Sequence, residues 1–142
     1  MSDTFARGPF DQIESSIPFH KLLGLKVVHF EKGKVRFLLP FKDEFIGNFV
    51  SGFYHGGVLS GAMDAVAGVA AASQIYPDQT MDKLSTMDIR VDYMKPVLGQ
   101  DIHVHGEVRS SGKRSIFVRM WVTYVDNELV LVEGRAVMNI RG

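Results

Sequence analysis

The sequence contains no cysteine, no excess of either charge and no recognisable leader segment. The absence of cysteine excludes disulfides, thiolate catalysis and cysteine-ligated zinc, and it is compatible with a reducing compartment. Lys plus Arg and Asp plus Glu each total 16, so the chain lacks the field that concentrates nucleic acid or attracts an anionic membrane. Residues 1–10 carry no apolar run followed by a small-residue cleavage site. We therefore expect a cytoplasmic protein without a nucleic-acid or membrane partner, in which a specific pocket provides recognition.

One stretch, residues 57–75, is apolar enough to raise the question of a membrane span, because about 20 such residues cross a bilayer. Asp64 lies within it, and a carboxylate near the centre of a lone span costs roughly 2.5 to 3.5 kcal/mol. We therefore predict a buried helix instead. A chain of 142 residues matches one domain of roughly 100 to 150 residues, so we expect a single domain over residues 1–142.

The periodicity and the turn residues divide the chain into one long helix and a set of strands. Helical turns are predicted over residues 9–16 and 18–23, a hairpin over 25–30 and 34–39, an ordered loop over 41–54, and a helix over 56–76 that Pro77 ends. Four further strands, predicted to form an antiparallel meander, cover residues 84–94, 102–109, 115–125 and 129–140.

This order of elements predicts an α+β fold in which an antiparallel sheet wraps around one long central helix. The helix is apolar on every side and must be covered on most sides. One sheet cannot cover it completely, so we expect a partner subunit.

The segment HGGVLSGAMD, from His55 to Asp64, carries the chemical signal. Asp64 is the only acidic residue between Glu44 and Asp78 and lies about two turns inside the apolar helix. A buried carboxylate is usually hydrogen-bonded, protonated or exposed to a polar cavity. Two interpretations stay open: a structural Asp that bridges neighbouring backbone, or a functional carboxylate.

Gly56 and Gly57 fall at the predicted start of the helix. The unpaired N–H groups and the positive end of the dipole at such a start suit a developing oxyanion, and glycine lets a substrate carbonyl approach the backbone closely. The alternative is that the two glycines only form a tight turn into the helix.

Several separated matches occur together, namely Gly47-Asn48, Gly52, the helix HGGVLSGAMDAVAG, the strand STMDIRVDYMKPVLGQDI and the turn SSGKRS. In this order they resemble the hotdog-fold thioesterases, in the phenylacetyl-CoA thioesterase-like branch. The resemblance covers most of the chain. It implies a hotdog fold, a homodimer whose sheets join edge to edge, sites shared across that interface, and hydrolysis of acyl-CoA thioesters without a metal or organic cofactor. It leaves open whether dimers pair into tetramers.

The resemblance also implies roles for individual residues. The Gly56 N–H polarises the thioester carbonyl, His55 shapes the same loop, and Asp64 of the opposite subunit acts as general base or as nucleophile. Thr86 helps to hold the water, and Asn48 lies near the family's pocket asparagine, although seven residues before His55 instead of six. The residues that contact CoA are expected to be Gly57, Arg90, Lys95, Gly112, Lys113 and Arg114.

Other interpretations of the same features remain. A hotdog domain could bind acyl-CoA without turnover, or act as a dehydratase or hydratase, although the helix after His55 carries Asp64 and no histidine. His103 and His105 alternate on one strand face as metal ligands could, but no third ligand is evident. An acyl channel could be lined by Phe45, Phe49, Phe53, Tyr54 and Met63.

Overall fold

A computed structural model describes Phe10 and residues 13–142 of the chain. Its first elements are two short helices, α1 (Ile13–Ser16) and α2 (Pro18–Leu23). Helix α2 has proline at its start and ends at Gly24, whose φ of 79° lets its N–H reach the carbonyls of the last turn. The helix predicted over residues 18–23 is confirmed. The turn predicted over residues 9–16 is confirmed where α1 covers it, and its remainder lies largely outside the described residues.

The rest of the described chain forms one long helix and eight strands. Their bounds are β1 (Lys26–Glu31), β2 (Lys34–Leu39), β3 (Ile46–Asn48), β4 (Phe53–Tyr54), α3 (Gly56–Ile75), β5 (Leu84–Tyr93), β6 (Ile102–Ser111), β7 (Ser115–Tyr124) and β8 (Val132–Ile140). Six of the strands form an antiparallel sheet in the order β1-β2-β6-β7-β8-β5, and β3 pairs with β4 in a separate ribbon. The α+β prediction, a sheet wrapped around one central helix, is confirmed.

Two predictions about this region are wrong. The last four strands are not a meander, because β5 pairs with β8 at the edge of the sheet and does not pair with β6. The chain crosses from β5 to β6 through residues 94–101, and turn residues alone do not distinguish a crossover from a hairpin. Residues 41–54 are not only a loop, because they contain a 3-10 turn (Asp43–Phe45) and the β3–β4 ribbon.

Helix α3 packs into the concave side of the sheet, and its inner face is sealed from water by Ala62, Met63, Val66 and Ala70. A Cβ on Gly106 of β6 would lie 3.0 Å from Val66, so glycine permits this close approach of helix and strand. The opposite side of α3 is only partly covered, and this uncovered stripe consists of residues 57, 61, 64, 65 and 68. The helix is long and apolar enough to span a membrane, but 61% of its apolar window is buried inside the protein, as in a core helix.

Candidate active site

The amino end of α3 presents one unpaired backbone donor. His55 is the N-cap, and its Nδ1 accepts the Gly57 N–H at 2.8 Å. Because Nδ1 accepts, the ring proton of the neutral imidazole lies on Nε2. Among the residues that the structure describes, the Gly56 N–H has no acceptor. The His55 carbonyl accepts the Val58 N–H at 3.0 Å, which polarises the peptide group that carries the Gly56 N–H.

This helix start is held by the β3–β4 ribbon and by the end of β5. The His55 N–H donates to the Phe45 carbonyl at 2.8 Å, and a Cβ on Gly47 would lie only 2.6 Å from His55 Cα. The Tyr93 hydroxyl donates to the Gly56 carbonyl at 2.8 Å, and a Cβ built on Gly56 would lie 3.4 Å from the Tyr93 ring. Sequence analysis did not identify Tyr93. Its place at the end of a predicted strand gives no sign of the contact with the helix.

A cavity of about 480 Å³, here called the N-terminal cavity, opens in front of this helix start. Its lining comes from the ribbon, the helix start and the crossover after β5: Gly47, Asn48, Phe53, Tyr54, His55, Gly56, Leu59, Tyr93, Met94, Lys95, Pro96 and Val97. Tyr54 donates to the Gln100 carbonyl at 2.9 Å, and burial raises the pKa of its phenol above the ordinary value. The wall is therefore neutral there, and Lys95 supplies a positive charge.

Asp64 lies on the partly uncovered stripe of α3. Its Oδ1 accepts the hydroxyl of Thr86 on β5 at 2.9 Å, and no bond from Asp64 to neighbouring backbone occurs within the described residues. Thr86, which was predicted to help hold the water, therefore contacts the carboxylate directly, and its predicted role stays a prediction. Asp64 and Thr86 border a second cavity of about 180 Å³, here called the Asp64 cavity. Its other lining residues are Ile17, His20, Ala65, Gly68, Val69, Met81, Leu84, Ser85 and Met138.

Within one chain, the two halves of the predicted site do not meet. Asp64 lies eight positions after Gly56 on one helix, which at about 1.5 Å per residue is about 12 Å along the axis. The N-terminal cavity and the Asp64 cavity share no lining residue. A single reacting group cannot contact both ends, so these residues form one site only if different chains contribute them.

The other predicted contacts are spread over the molecule. Asn48 lines the N-terminal cavity, but its Oδ1 accepts the Val50 and Ser51 N–H groups at 3.1 Å and closes a turn. Arg90 lies on the outer face of the sheet, in an exposed ion pair with Asp92 at 3.3 Å.

The turn of Gly112, Lys113 and Arg114, which was predicted to contact CoA, joins β6 to β7 and lies beside the end of β8. The Arg114 carbonyl accepts the Ile140 N–H there at 2.8 Å. These residues therefore lie at the end of the sheet where β5 begins, since Leu84 pairs with Ile140. Lys95 lies at the other end of β5.

The residues proposed to line an acyl channel and the pair His103 and His105 lie in different surroundings. Among the proposed channel residues, Phe53 and Tyr54 line the N-terminal cavity, whereas Phe45 and Met63 are buried and Phe49 is 90% exposed. His105 stacks on Trp121 at 4.8 Å and lies 3.0 Å from the Thr123 hydroxyl, and burial lowers the pKa of its ring to about 4. No three potential metal ligands cluster in the described part of the chain.

Comparison with known proteins agrees with this fold. Residues 51–131, more than half of the chain, match the model of the thioesterase superfamily. A medium/long-chain acyl-CoA thioesterase, YigI of Salmonella typhimurium, is 27% identical, over 73% of this chain and 74% of its own. A solved structure from Shewanella oneidensis, related to the thioesterase superfamily, is 28% identical with a TM-score of 0.81, covering 94% of each chain. A phenylacetic acid degradation-related protein from Ralstonia eutropha shares the fold at 15% identity and a TM-score of 0.77, over 92% of this chain and 98% of its own.

The fold and these likenesses define a hotdog thioester hydrolase. The chain belongs to the thioesterase superfamily, and the resemblance identified from its sequence is confirmed.

Proposed function

We propose that the protein hydrolyses acyl-CoA thioesters as a homodimer, with each site formed by the helix start of one chain and Asp64 of the other. The observation that carries the proposal is the separation of Gly56 from Asp64 within one chain, each beside its own cavity. Residues 1–142 act in this proposal as one hotdog domain. The similarity to an acyl-CoA thioesterase supports the substrate class. The cytoplasmic location and the absence of a cofactor stay predictions.

The edge strand β5 supports this assembly. One side of β5 pairs with β8, and its other side has no strand partner in the described chain. Its large apolar side chains are unusually exposed, with Met87 at 64% and Tyr93 at 51%. Such an edge is a template for pairing with another strand. Antiparallel pairing about the middle of β5 would bring Thr86 and Asp64 of one chain towards Tyr93 and Gly56 of the other.

The chemistry requires no group beyond these residues and water. The thioester carbonyl oxygen accepts the Gly56 N–H, so negative charge that develops on that oxygen is stabilised by a preorganised donor. The Asp64 carboxylate takes a proton from water while the water oxygen bonds to the carbonyl carbon. The C–S bond then breaks, and the CoA sulfur leaves with that proton. In the alternative route Asp64 attacks directly, CoA leaves, and water hydrolyses the resulting anhydride.

Thr86 and the cations take supporting roles in this scheme. The Thr86 hydroxyl donates to one carboxylate oxygen of Asp64 and leaves the other oxygen for water or the carbonyl carbon. Lys95 lies on the N-terminal cavity of one chain, and the turn at Lys113 lies near the Asp64 end of the other. We propose that these two groups meet CoA phosphates at the dimer seam. Arg90, Arg114, Gly57, Gly112 and Asn48 stay predicted contacts.

The test is Asp64→Asn, which preserves shape and removes the base or nucleophile. We expect the variant to fold and dimerise like the wild type and to lose at least about a hundredfold in kcat for free-thiol release from acyl-CoA. The exposed Asp78 lies on the same chain away from both cavities, so Asp78→Asn is the matched control. Undiminished turnover in Asp64→Asn would refute the assignment, and binding of acyl-CoA by the wild type without turnover would favour a binding module.

A second experiment tests the shared site. Gly56→Val keeps the backbone donor but places a branched side chain in the cavity beside Tyr93. We expect Gly56→Val and Asp64→Asn each to be inactive alone. Co-expressed with two affinity tags and purified as a hybrid, they should regain up to about half of the wild-type activity, because one of the two sites is then intact. A hybrid as inactive as its parents would contradict the two-chain site.

A further inference from the structure

The outer face of the sheet, turned away from α3, carries a row of arginines on three neighbouring strands. The residues on either side of Arg119 in β7 and of Arg135 in β8 are buried, so strand alternation turns both arginines outward. Arg119 lies directly opposite Arg135, and Arg135 lies directly opposite Arg90 of β5. Neighbouring strands are about 5 Å apart, so the row spans roughly 10 Å. Like charges directly opposite one another destabilise a sheet, and the fold by itself gives no reason for this row.

The row borders a cavity of about 680 Å³, here called the outer-face cavity. This cavity shares no lining residue with the N-terminal cavity or with the Asp64 cavity. Four arginines and two carboxylates give its described lining a net charge of +2: Arg90, Arg109, Arg119, Arg135, Asp92 and Glu133. The outer-face cavity therefore has the charge of an anion site, which neither of the other two cavities has.

The central arginine of the row has no counter-ion. Asp92 pairs with Arg90 at 3.3 Å, and Glu133 pairs with Arg119 at 3.1 Å, so both carboxylates of the cavity are engaged. Arg135, between the two pairs, makes no ion pair or hydrogen bond with any residue that the structure describes. The Arg90 side chain is 63% exposed, and ion pairs between exposed groups contribute little. An external anion of higher charge can therefore compete with these carboxylates and bind the unpaired Arg135.

From these observations we propose that the outer-face cavity binds a polyphosphate anion, with Arg135 at its centre and Arg119 and Arg90 on either side. Guanidinium groups are planar forks that bind phosphate oxygens through paired N–H donors. A row of roughly 10 Å matches a chain of phosphate groups better than a single phosphate. The bound anion offsets the repulsion within the row. The proposal does not depend on the hydrolysis of acyl-CoA, and it gives Arg90 a role apart from the CoA contact predicted for it.

Trp121, the only tryptophan of the chain, reports on this site. Cζ of Arg119 lies 4.3 Å from the centre of the Trp121 ring, so an anion that binds Arg119 changes the electric field at the indole. The experiment titrates the intact protein with sodium tripolyphosphate or with inorganic phosphate and records the fluorescence. We expect a saturable change, with an apparent affinity at least about tenfold higher for tripolyphosphate than for phosphate and a marked loss of affinity at high salt.

Arg135→Gln tests the centre of the site. We expect this variant to bind tripolyphosphate at least about tenfold more weakly than the wild type. Urea unfolding should show it to be at least as stable, because the substitution removes a charge that lies between two like charges. Lys26→Gln is the matched control, since Lys26 is exposed on β1 at the opposite edge of the sheet and does not line the cavity. This control should bind tripolyphosphate like the wild type.

Steady-state kinetics separates a free polyphosphate from the phosphates of CoA. Arg135→Gln should keep its KM for acyl-CoA within about twofold of the wild-type value. A rise of about tenfold or more in that KM would mean that the row binds the substrate, and it would overturn the proposal. The absence of a saturable fluorescence change, or equal tripolyphosphate affinity in the wild type and Arg135→Gln, would overturn it as well. Failure of the wild type to hydrolyse acyl-CoA would count against the proposed function alone, because the binding measurement requires no turnover.

Discussion

Gly47 links the stability of the fold to the geometry of the helix start, and Gly47→Ala tests that link. A Cβ at this position would lie 2.6 Å from His55 Cα, 2.9 Å from His55 Cβ and 3.1 Å from His55 N. Nonpolar heavy atoms prefer about 3.5 to 4.0 Å, so β3 and β4 would have to separate by roughly 1 Å. Two of the three clashing atoms belong to the backbone, so a change of rotamer cannot relieve the contact.

The expected loss can be worked out from these contacts. Overpacking costs about 1 to 3 kcal/mol. Moving His55 also weakens its cap on the Gly57 N–H, which is worth about 0.5 to 2 kcal/mol. We therefore expect Gly47→Ala to lower the free energy of unfolding by about 1.5 to 5 kcal/mol. A displacement of about 1 Å at the Gly56 donor should lower kcat by roughly a hundredfold.

Urea unfolding and free-thiol release measure the two effects. Gly112→Ala is the matched stability control, because a Cβ there meets its nearest atom at 3.6 Å, an ordinary contact, and its unfolding free energy should change by less than about 0.5 kcal/mol. If Gly47→Ala were as stable and as active as the wild type, the ribbon would not determine the position of the helix start, and the reasoning would fail.

Two further predictions concern Thr86 and His105. Thr86→Val removes the donor to Asp64 while keeping the shape, so kcat should fall by about ten- to a hundredfold with little change in stability, and Thr86→Ser should restore most of it. Burial lowers the pKa of His105 from 6.5 to about 4, so the unfolded chain binds a proton in this range that the folded chain does not. The contribution of the neutral ring to the free energy of unfolding is therefore complete above pH 6.5 and is lost as pH falls towards 4. The loss amounts to about 1 to 2 kcal/mol after allowance for the partial exposure of the ring. Urea titrations at pH 7 and pH 4.5 should show a smaller acid loss in His105→Gln than in the wild type.

The positions of Gly56 and Asp64 on the long helix follow from local sequence, and their roles stay predictions. Gly56 lies at the first residue of α3 because glycines precede a long run of helix formers, and Asp64 is conspicuous as the lone acid within that run. His55 as the cap is likewise local, since its side chain bonds to the N–H two residues later. Contacts between distant segments were harder to predict. The bond from Thr86 to Asp64 was not predicted, because periodicity does not show which strand residue faces the helix.

Tyr93 and His20 were missed for the same reason. Tyr93 contacts the helix start from a strand 37 residues later, and His20 reaches the Asp64 cavity from a short helix well before it in sequence. Neither residue forms a spaced motif with its partners. Each looks like an ordinary strand or helix residue until the packing of the elements is known.

The crossover from β5 to β6, which the meander prediction missed, forms one wall of the N-terminal cavity. Because β5 lies at the sheet edge, the chain must cross back to β6. That crossover packs on the β3–β4 ribbon through two hydrogen bonds. The Tyr54 N–H donates to the Val97 carbonyl at 2.8 Å, and the Gly99 N–H donates to the Gly52 carbonyl at 2.9 Å. Lys95 and Val97 thereby become walls of the N-terminal cavity. A true meander would pair β5 with β6 through a short turn and would remove this wall. The crossover thus supplies a wall of the cavity at the helix start, and β5 at the sheet edge supplies the free strand on which the proposed two-chain site depends.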